Sequence, residues 1–220
     1  MHYIRAVCLS LSFTGIMLLW ASIAVSPATA TLVTFNFTGT VDTVGSNLSG
    51  TFSTGQTLTG SYTYDSTKLD SNPSPTIGTY AGPIQTMAFN IGSYSATLGA
   101  GGNSIKIQNL GGFDSYTSTA SFLGSSVNGN APSFFEINLK DSSHTAFSND
   151  SLPTTPPSLS SFDTKTFRLV FGNGQNPNNI VSGVLTAVPL PAAVILFGAG
   201  LVALVGLGAG SWRQKKTSLA

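Results

Sequence analysis

Few side chains in this sequence can do acid–base chemistry, and they are thinly spread. The 220 residues hold nine Lys and Arg, eight Asp and Glu, and two His. His144 sits in a polar stretch beside Asp141, Ser142, Ser143 and Asp150. A Ser–His–Asp relay can be drawn from these residues, but no GxSxG elbow presents a serine as nucleophile. The same residue types make an ordinary solvated loop, and His144 is read as one of them. Glu136 and Asp141 are the only acids near one another on or beside a strand. Glycoside hydrolysis needs two carboxyls facing across a cleft, and Glu136 is the only Glu in the chain. Asp65, Asp70 and Asn72 offer hard oxygens from one loop, the ligand type Ca²⁺ takes. They are equally the residues that close turns by bonding nearby backbone N–H groups. Tyr80, Tyr94 and Tyr116, with the many Asn residues, are the candidates for stacking against and hydrogen-bonding sugar rings, although alternating aromatics more often fill a core. No catalytic set, cofactor or resident metal is expected.

The elements that must position these residues are strands. Val33, Phe35, Phe37 and Val41 alternate with polar residues, as do Leu58, Tyr62 and Tyr64. Met87, Phe89 and Ile91 lead through Gly92-Ser93 into Tyr94, Ala96 and Leu98, and Gly at the first turn position suits a type II′ hairpin. Ile105 and Ile107 follow Gly101-Gly102; then come Phe135, Ile137 and Leu139, then Phe167, Leu169 and Phe171, and last 180–185. The stretches 65–79 and 142–166 read as long loops, and no helical period appears between the termini. The expectation is an all-β, antiparallel β-sandwich, jelly-roll-like, over residues 31–187. One face of each sheet would be packed and the other wet.

Charge narrows the function classes. All eight acids fall between residues 31 and 188, against Lys68, Lys106, Lys140, Lys165 and Arg168. With neither a basic face nor a charge run, nucleic acid is not an expected partner. The sole cysteine, Cys8, precedes the apolar core of the N-terminal segment, so cleavage of that segment leaves a chain without thiols.

Both ends are apolar. Residues 1–30 read as a signal peptide, with His2 and Arg5, the run 16–25, Pro27, and a small-x-small site at Ala28-Thr29-Ala30 that leaves Thr31 as the new N-terminus. Residues 192–212 form a charge-free stretch ending in Trp212, and at about 1.5 Å per residue it spans roughly 30 Å, a bilayer's hydrocarbon core. Arg213, Lys215 and Lys216 follow in the tail 213–220, which holds that end in the cytoplasm and leaves the domain outside.

Directly before the apolar stretch stands Val188-Pro189-Leu190-Pro191-Ala192. Residues 188–220 thus run as a short proline motif, one apolar helix and a basic cluster, and this order resembles the PEP-CTERM family of sorting signals in its VPLPA variant. The commoner form of the motif has Glu where this chain has Leu190. The resemblance implies a Gram-negative bacterial protein that crosses the inner membrane and ends at the cell surface or outside it. It implies an exosortase-type membrane protease or transpeptidase as partner, acting near the proline motif, and extracellular polysaccharide as a possible neighbour. By carry-over, Val188, Pro189, Leu190 and Pro191 are recognition residues, and the basic cluster sets the helix in register. Two prolines also keep the segment extended, since they lack N–H donors and fix φ near −65°. The function expected is a structural or interaction role in the extracellular matrix. The alternatives are a polysaccharide-binding module and a secreted hydrolase.

Overall fold

The computed structural model describes residues 31–174 and 176–186. Nine strands follow one another: β1 Leu32–Val44, β2 Thr57–Asp65, β3 Ile77–Ala81, β4 Ile84–Ile91, β5 Tyr94–Leu110, β6 Phe113–Leu123, β7 Pro132–Asp141, β8 Thr164–Phe171 and β9 Ile180–Thr186. All pairings are antiparallel. The all-β antiparallel class is as the alternation requires.

The sandwich is corrected to a closed barrel. The pairing order β3-β5-β4-β2-β1-β9-β8-β7-β6 returns on itself through β5–β6, so eight strands close and β3 lies beside the second half of β5. Leaving β3 aside, each strand pairs with its neighbour in sequence, and β1 pairs with β9 to complete the ring. Sandwiches and barrels both bury alternate residues, so period 2 alone does not separate them. The deciding contact is the pairing of first and last strands, from Thr38↔Thr186 to Val44↔Val181. Closure leaves the eight barrel strands without free edges.

The pleat sends Phe35, Phe37, Tyr62, Phe89, Ile107, Tyr116, Phe135, Ile137, Phe167, Leu169 and Val181 inward, all buried. An eight-stranded interior is just wide enough for side chains to fill. Phe135 stacks on Phe89 at 4.6 Å and on Phe37 at 5.5 Å between ring centroids. Glycines make room for these rings. A Cβ on Gly60 would come within 2.7 Å of the Phe37 ring, and one on Gly183 within 1.9 Å of the Thr40 carbonyl.

Two hairpins are tight. Gly92 has φ +57° while Ser93 stays at negative φ, which is the type II′ pattern expected from the sequence. Gly111-Gly112 joins β5 to β6 between Leu110 and Phe113. The pair Gly101-Gly102 is not a turn. It lies within β5, where the register against β6 shifts between Leu98 and Asn103.

The antiparallel order gives the barrel two distinct ends. One, the near end, gathers the start of β1, the loop 66–76, the Gly111-Gly112 hairpin, the loop 142–163 and the end of β9. The other, the far end, gathers 45–56, Gly92-Ser93, 124–131 and 172–179.

Gly183→Ala tests the packing. The Thr40 carbonyl it would strike belongs to the β1–β9 ladder and cannot move aside. Urea titration should show a loss of about 3 kcal/mol. Gly50→Ala, with open space around its Cβ, should stay within about 0.5 kcal/mol of the parent.

Candidate functional site

The processing residues fall largely beyond the described chain. Ala28, Ala30, Val188, Pro189, Leu190, Pro191, Ala192, Arg213, Lys215 and Lys216 lie outside the described residues, as do the leader 1–30 and the stretch 192–212. Among the described residues no helix is long and apolar enough to cross a membrane. Thr31 is described and exposed, and its carbonyl accepts from the Ser66 N–H and Oγ, each at 3.0 Å.

The densest group of titratable side chains lies at the near end. Asp114 on β6 and Asp141 on β7 face each other directly in the ladder, and both are buried. They share the inward pleat of Tyr116 and Leu139, an exceptional place for carboxylates. The loop after β7 satisfies them. Asp114 Oδ1 lies 2.8 Å from His144 Nδ1, and Oδ2 accepts the Phe147 N–H at 2.9 Å. Asp141 Oδ1 accepts the Ser143 N–H at 2.8 Å and its hydroxyl at 2.5 Å. Asp141 Oδ2 accepts the N–H groups of Thr145 and Ala146 at 2.7 and 2.9 Å. The Ser143 hydroxyl and then the Thr145 N–H hold the Asp141 carboxyl far below the usual carboxylate range. Asp163 accepts the Ser142 N–H at 2.8 Å and is lowered by that bond.

His144 is therefore not the free loop histidine expected. It is about one-third exposed, holds φ +56°, and is tied to Asp114. The catalytic relay drawn from the sequence is not assembled. Ser143 Oγ bonds Asp141 rather than His144, and the Asp150 backbone carbonyl receives the Tyr80 hydroxyl at 2.9 Å. Glu136 and Asp141 lie on opposite faces of β7: Asp141 points inward, while Glu136 meets Arg168 on the outer wall at 2.7 and 3.0 Å. They do not face across a cleft.

The calcium candidates are engaged by the protein's own donors. Asp65 Oδ1 accepts the Thr67 hydroxyl at 2.6 Å and its N–H at 2.9 Å, which lower its pKa in that order. Asp70 Oδ1 accepts the Asn72 and Thr79 N–H groups at 2.8 and 2.7 Å, and Asn72 Oδ1 accepts Ser74 N–H at 3.0 Å. Asp65 and Asn72 serve their own turns, while Asp70 also holds its loop to β3. Among the described residues no three His, Cys, Asp or Glu are placed to hold a metal ion.

The tyrosines chosen for sugar stacking are corrected as well. Tyr80, Tyr94 and Tyr116 are all buried. Tyr116 and Tyr62 join hydroxyls at 2.7 Å inside the barrel, and burial raises both pKa values. Tyr64 donates to the Pro153 carbonyl at 2.9 Å, and Tyr94 to that of Ser125 at 2.9 Å. Burial pushes the Tyr94 pKa up to about 12. These hydroxyls moor loops to the barrel mouths.

On the outer wall Glu136, Asn138, Thr166, Arg168 and Ser182 line a shallow depression of about 280 Å³. The Arg168 guanidinium lies 5.2 Å above the Phe134 ring. The Glu136–Arg168 pair is partly exposed, so it contributes about 0–1 kcal/mol and serves mainly to fix the shape of the wall. Comparison with family models, curated proteins and solved structures finds no match to this chain.

Two outcomes follow. Tyr116→Ala should destabilise the domain by about 3–5 kcal/mol in a chemical melt, while Tyr116→Phe should cost about 1 kcal/mol. Because the Asp141 carboxyl is lowered on folding, its stabilisation is complete above the unfolded value of about 3.9 and is lost as pH falls toward the native one. Urea midpoints should hold steady above about pH 5 and then drop, with a shallower drop and a lower starting point in Asp141→Asn.

Proposed function

We propose that this chain is an exported bacterial surface or extracellular-matrix protein, delivered by its leader and sorted by the proline motif and apolar stretch at its C-terminus. The observation that carries this reading is the order Val188-Pro189-Leu190-Pro191-Ala192, a charge-free bilayer-length segment, then Arg213, Lys215 and Lys216. An exosortase-type membrane protease or transpeptidase is the partner that acts near the motif. The barrel's role is structural or interactive rather than catalytic.

The domain's polarity supports this reading. Most of its large apolar residues are buried, and its wall carries Thr34, Asn36, Thr59, Thr86, Asn90 and Thr97, all exposed. A membrane barrel has the reverse arrangement, with an apolar outer band. The barrel wall thus suits water, and the span across the bilayer is left to residues 192–212. A packed interior also leaves the wall and loops as the surfaces available to partners.

A second reading, polysaccharide binding, is favoured by the wall depression. Glu136, Asn138, Thr166, Arg168 and Ser182 there combine donors and acceptors beside the partly buried Phe134 ring. A glycan array with Asn138→Ala and Arg168→Ala separates that reading from a passive matrix role.

Fractionation with terminal mass mapping tests the main proposal. The native product should begin at Thr31 and end within or just before Val188–Ala192. A mature species still carrying residues 192–220 overturns processing and leaves a plain single-pass anchor. Recovery of unprocessed chain in the cytoplasm overturns export.

A further inference from the structure

We propose that the near-end rim of the barrel, built on Leu32 and Leu69, rests in the headgroup layer of the bilayer that anchors the chain. The proposal concerns the exported chain before processing, while residues 192–212 still hold it in the membrane, and it rests on that part of the reading above.

The chain leaves the barrel at the close of β9. β9 ends at Thr186, pinned to Thr38 by the ladder and by a side-chain bond of 3.0 Å between their Oγ1 atoms. From there to Ala192, the first residue of the apolar stretch, a fully extended chain reaches at most about 20–22 Å. β1 runs past the same point in the same direction, from Thr38 back to Leu32, and at about 3.4 Å per residue this is roughly 20 Å. The tether is thus about as long as the part of the barrel that projects beside it. Strand tilt of about 35–45° shortens the projection along the barrel axis and leaves only a few ångströms of slack. With the barrel upright on the membrane, the rim stays within the depth of the headgroup layer while the chain is held.

The leader enters at the same place. Thr31 adjoins Leu32, and both its expected junction with the leader and the exit of β9 lie at the near end. Both apolar segments of the precursor therefore leave the barrel on one side.

The rim is suited to that position. Leu69 is 87 % exposed and Leu32 is 59 % exposed. Both belong to the near end: Leu32 pairs with Asp65, and Leu69 lies on the 66–76 loop, whose first residue, Ser66, is bonded to the Thr31 carbonyl. Aqueous exposure of two leucines gains nothing, whereas an interface buries their side chains. The charges near them do not favour an anionic surface. Lys68 is flanked by Asp65 and Asp70, and the near end also holds Asp150 and Asp163 against Lys140 and Lys165. The contact is accordingly an apolar one, indifferent to anionic lipid content.

The experiment uses the full chain in vesicles of neutral phosphatidylcholine. Signal-peptide removal deletes Cys8, so single cysteines at Leu69→Cys, Leu32→Cys and, as a far-end control of the same residue type, Leu123→Cys can each carry a polarity-sensitive dye. Dyes at 69 and 32 should be quenched several-fold more by headgroup-depth nitroxide lipid than the dye at 123, and anionic lipid should not change this. A Gly/Ser insert of about ten residues before Val188, with a reach of about 16–19 Å, should abolish the difference. If the protein floats with the vesicles but position 69 is as open to aqueous quencher as 123, the rim contact is wrong and the anchor stands. If position 69 is shielded from water yet untouched by lipid nitroxide, a second protein covers it and the proposal fails. If the protein does not float, the anchor reading itself is wrong.

Discussion

The structure depends on one non-local contact, the pairing of β1 with β9. It joins residues near position 40 to residues near 184 and turns a meander of hairpins into a ring. Without it the sheet would have two free edges and an open, wet interior face. Closing such a long loop carries an entropic cost, which grows only slowly with loop length, and the aromatic interior offsets it. The ring and its filling require each other: Phe167 packs where Gly39 and Gly183 leave space at the β1–β9 seam.

This seam explains which parts of the fold were legible in the sequence. Strand content was, because period 2 is written locally: Val33-Phe35-Phe37, Met87-Phe89-Ile91 and Phe135-Ile137-Leu139 all proved to be inward rows. The Gly92-Ser93 hairpin was legible for the same local reason. Closure was not, since no feature of β1 announces β9 as its partner, and a sandwich uses the same alternation. β6 also escaped notice. Its inward row is Asp114, Tyr116, Ser118, Ala120 and Phe122, where polar residues interrupt the apolar period.

That interruption held the missed signal at the near end. Parity places Asp114 with Tyr116 and Asp141 with Leu139, so two acids at inward positions on strands were readable as an anomaly. What the sequence concealed is that the strands are adjacent and in register, which sets the acids opposite each other. The tyrosine assignment failed through the same parity. Tyr80, Tyr94 and Tyr116 belong to inward rows, and their hydroxyls bind loop carbonyls or one another instead of a ligand. The reading of the termini rests on motif order alone, at residues outside the described ones.

A domain without disulfides must hold its loops by other means, and the two ends of this barrel do so with different chemistry. At the near end, carboxylates receive several N–H and O–H donors each, as Asp141 does from Ser143, Thr145 and Ala146. Such charge-assisted bonds are roughly twice as strong as neutral ones, but they last only while the acid is ionised. At the far end the loops 45–56, 92–93, 124–131 and 172–179 contain no charged residue. There Asn47 donates to Asn179 at 2.8 Å, Asn179 donates to Asn130 at 3.0 Å, and Asn130 donates to the carbonyls of its own turn. An amide latch of this kind does not titrate. Acid therefore loosens the 142–147 loop and the near-end mouth of the barrel first, and it leaves the far end closed. The far end, with its loops 45–56, 124–131 and 172–179, is thus the face of the barrel whose shape is least sensitive to pH.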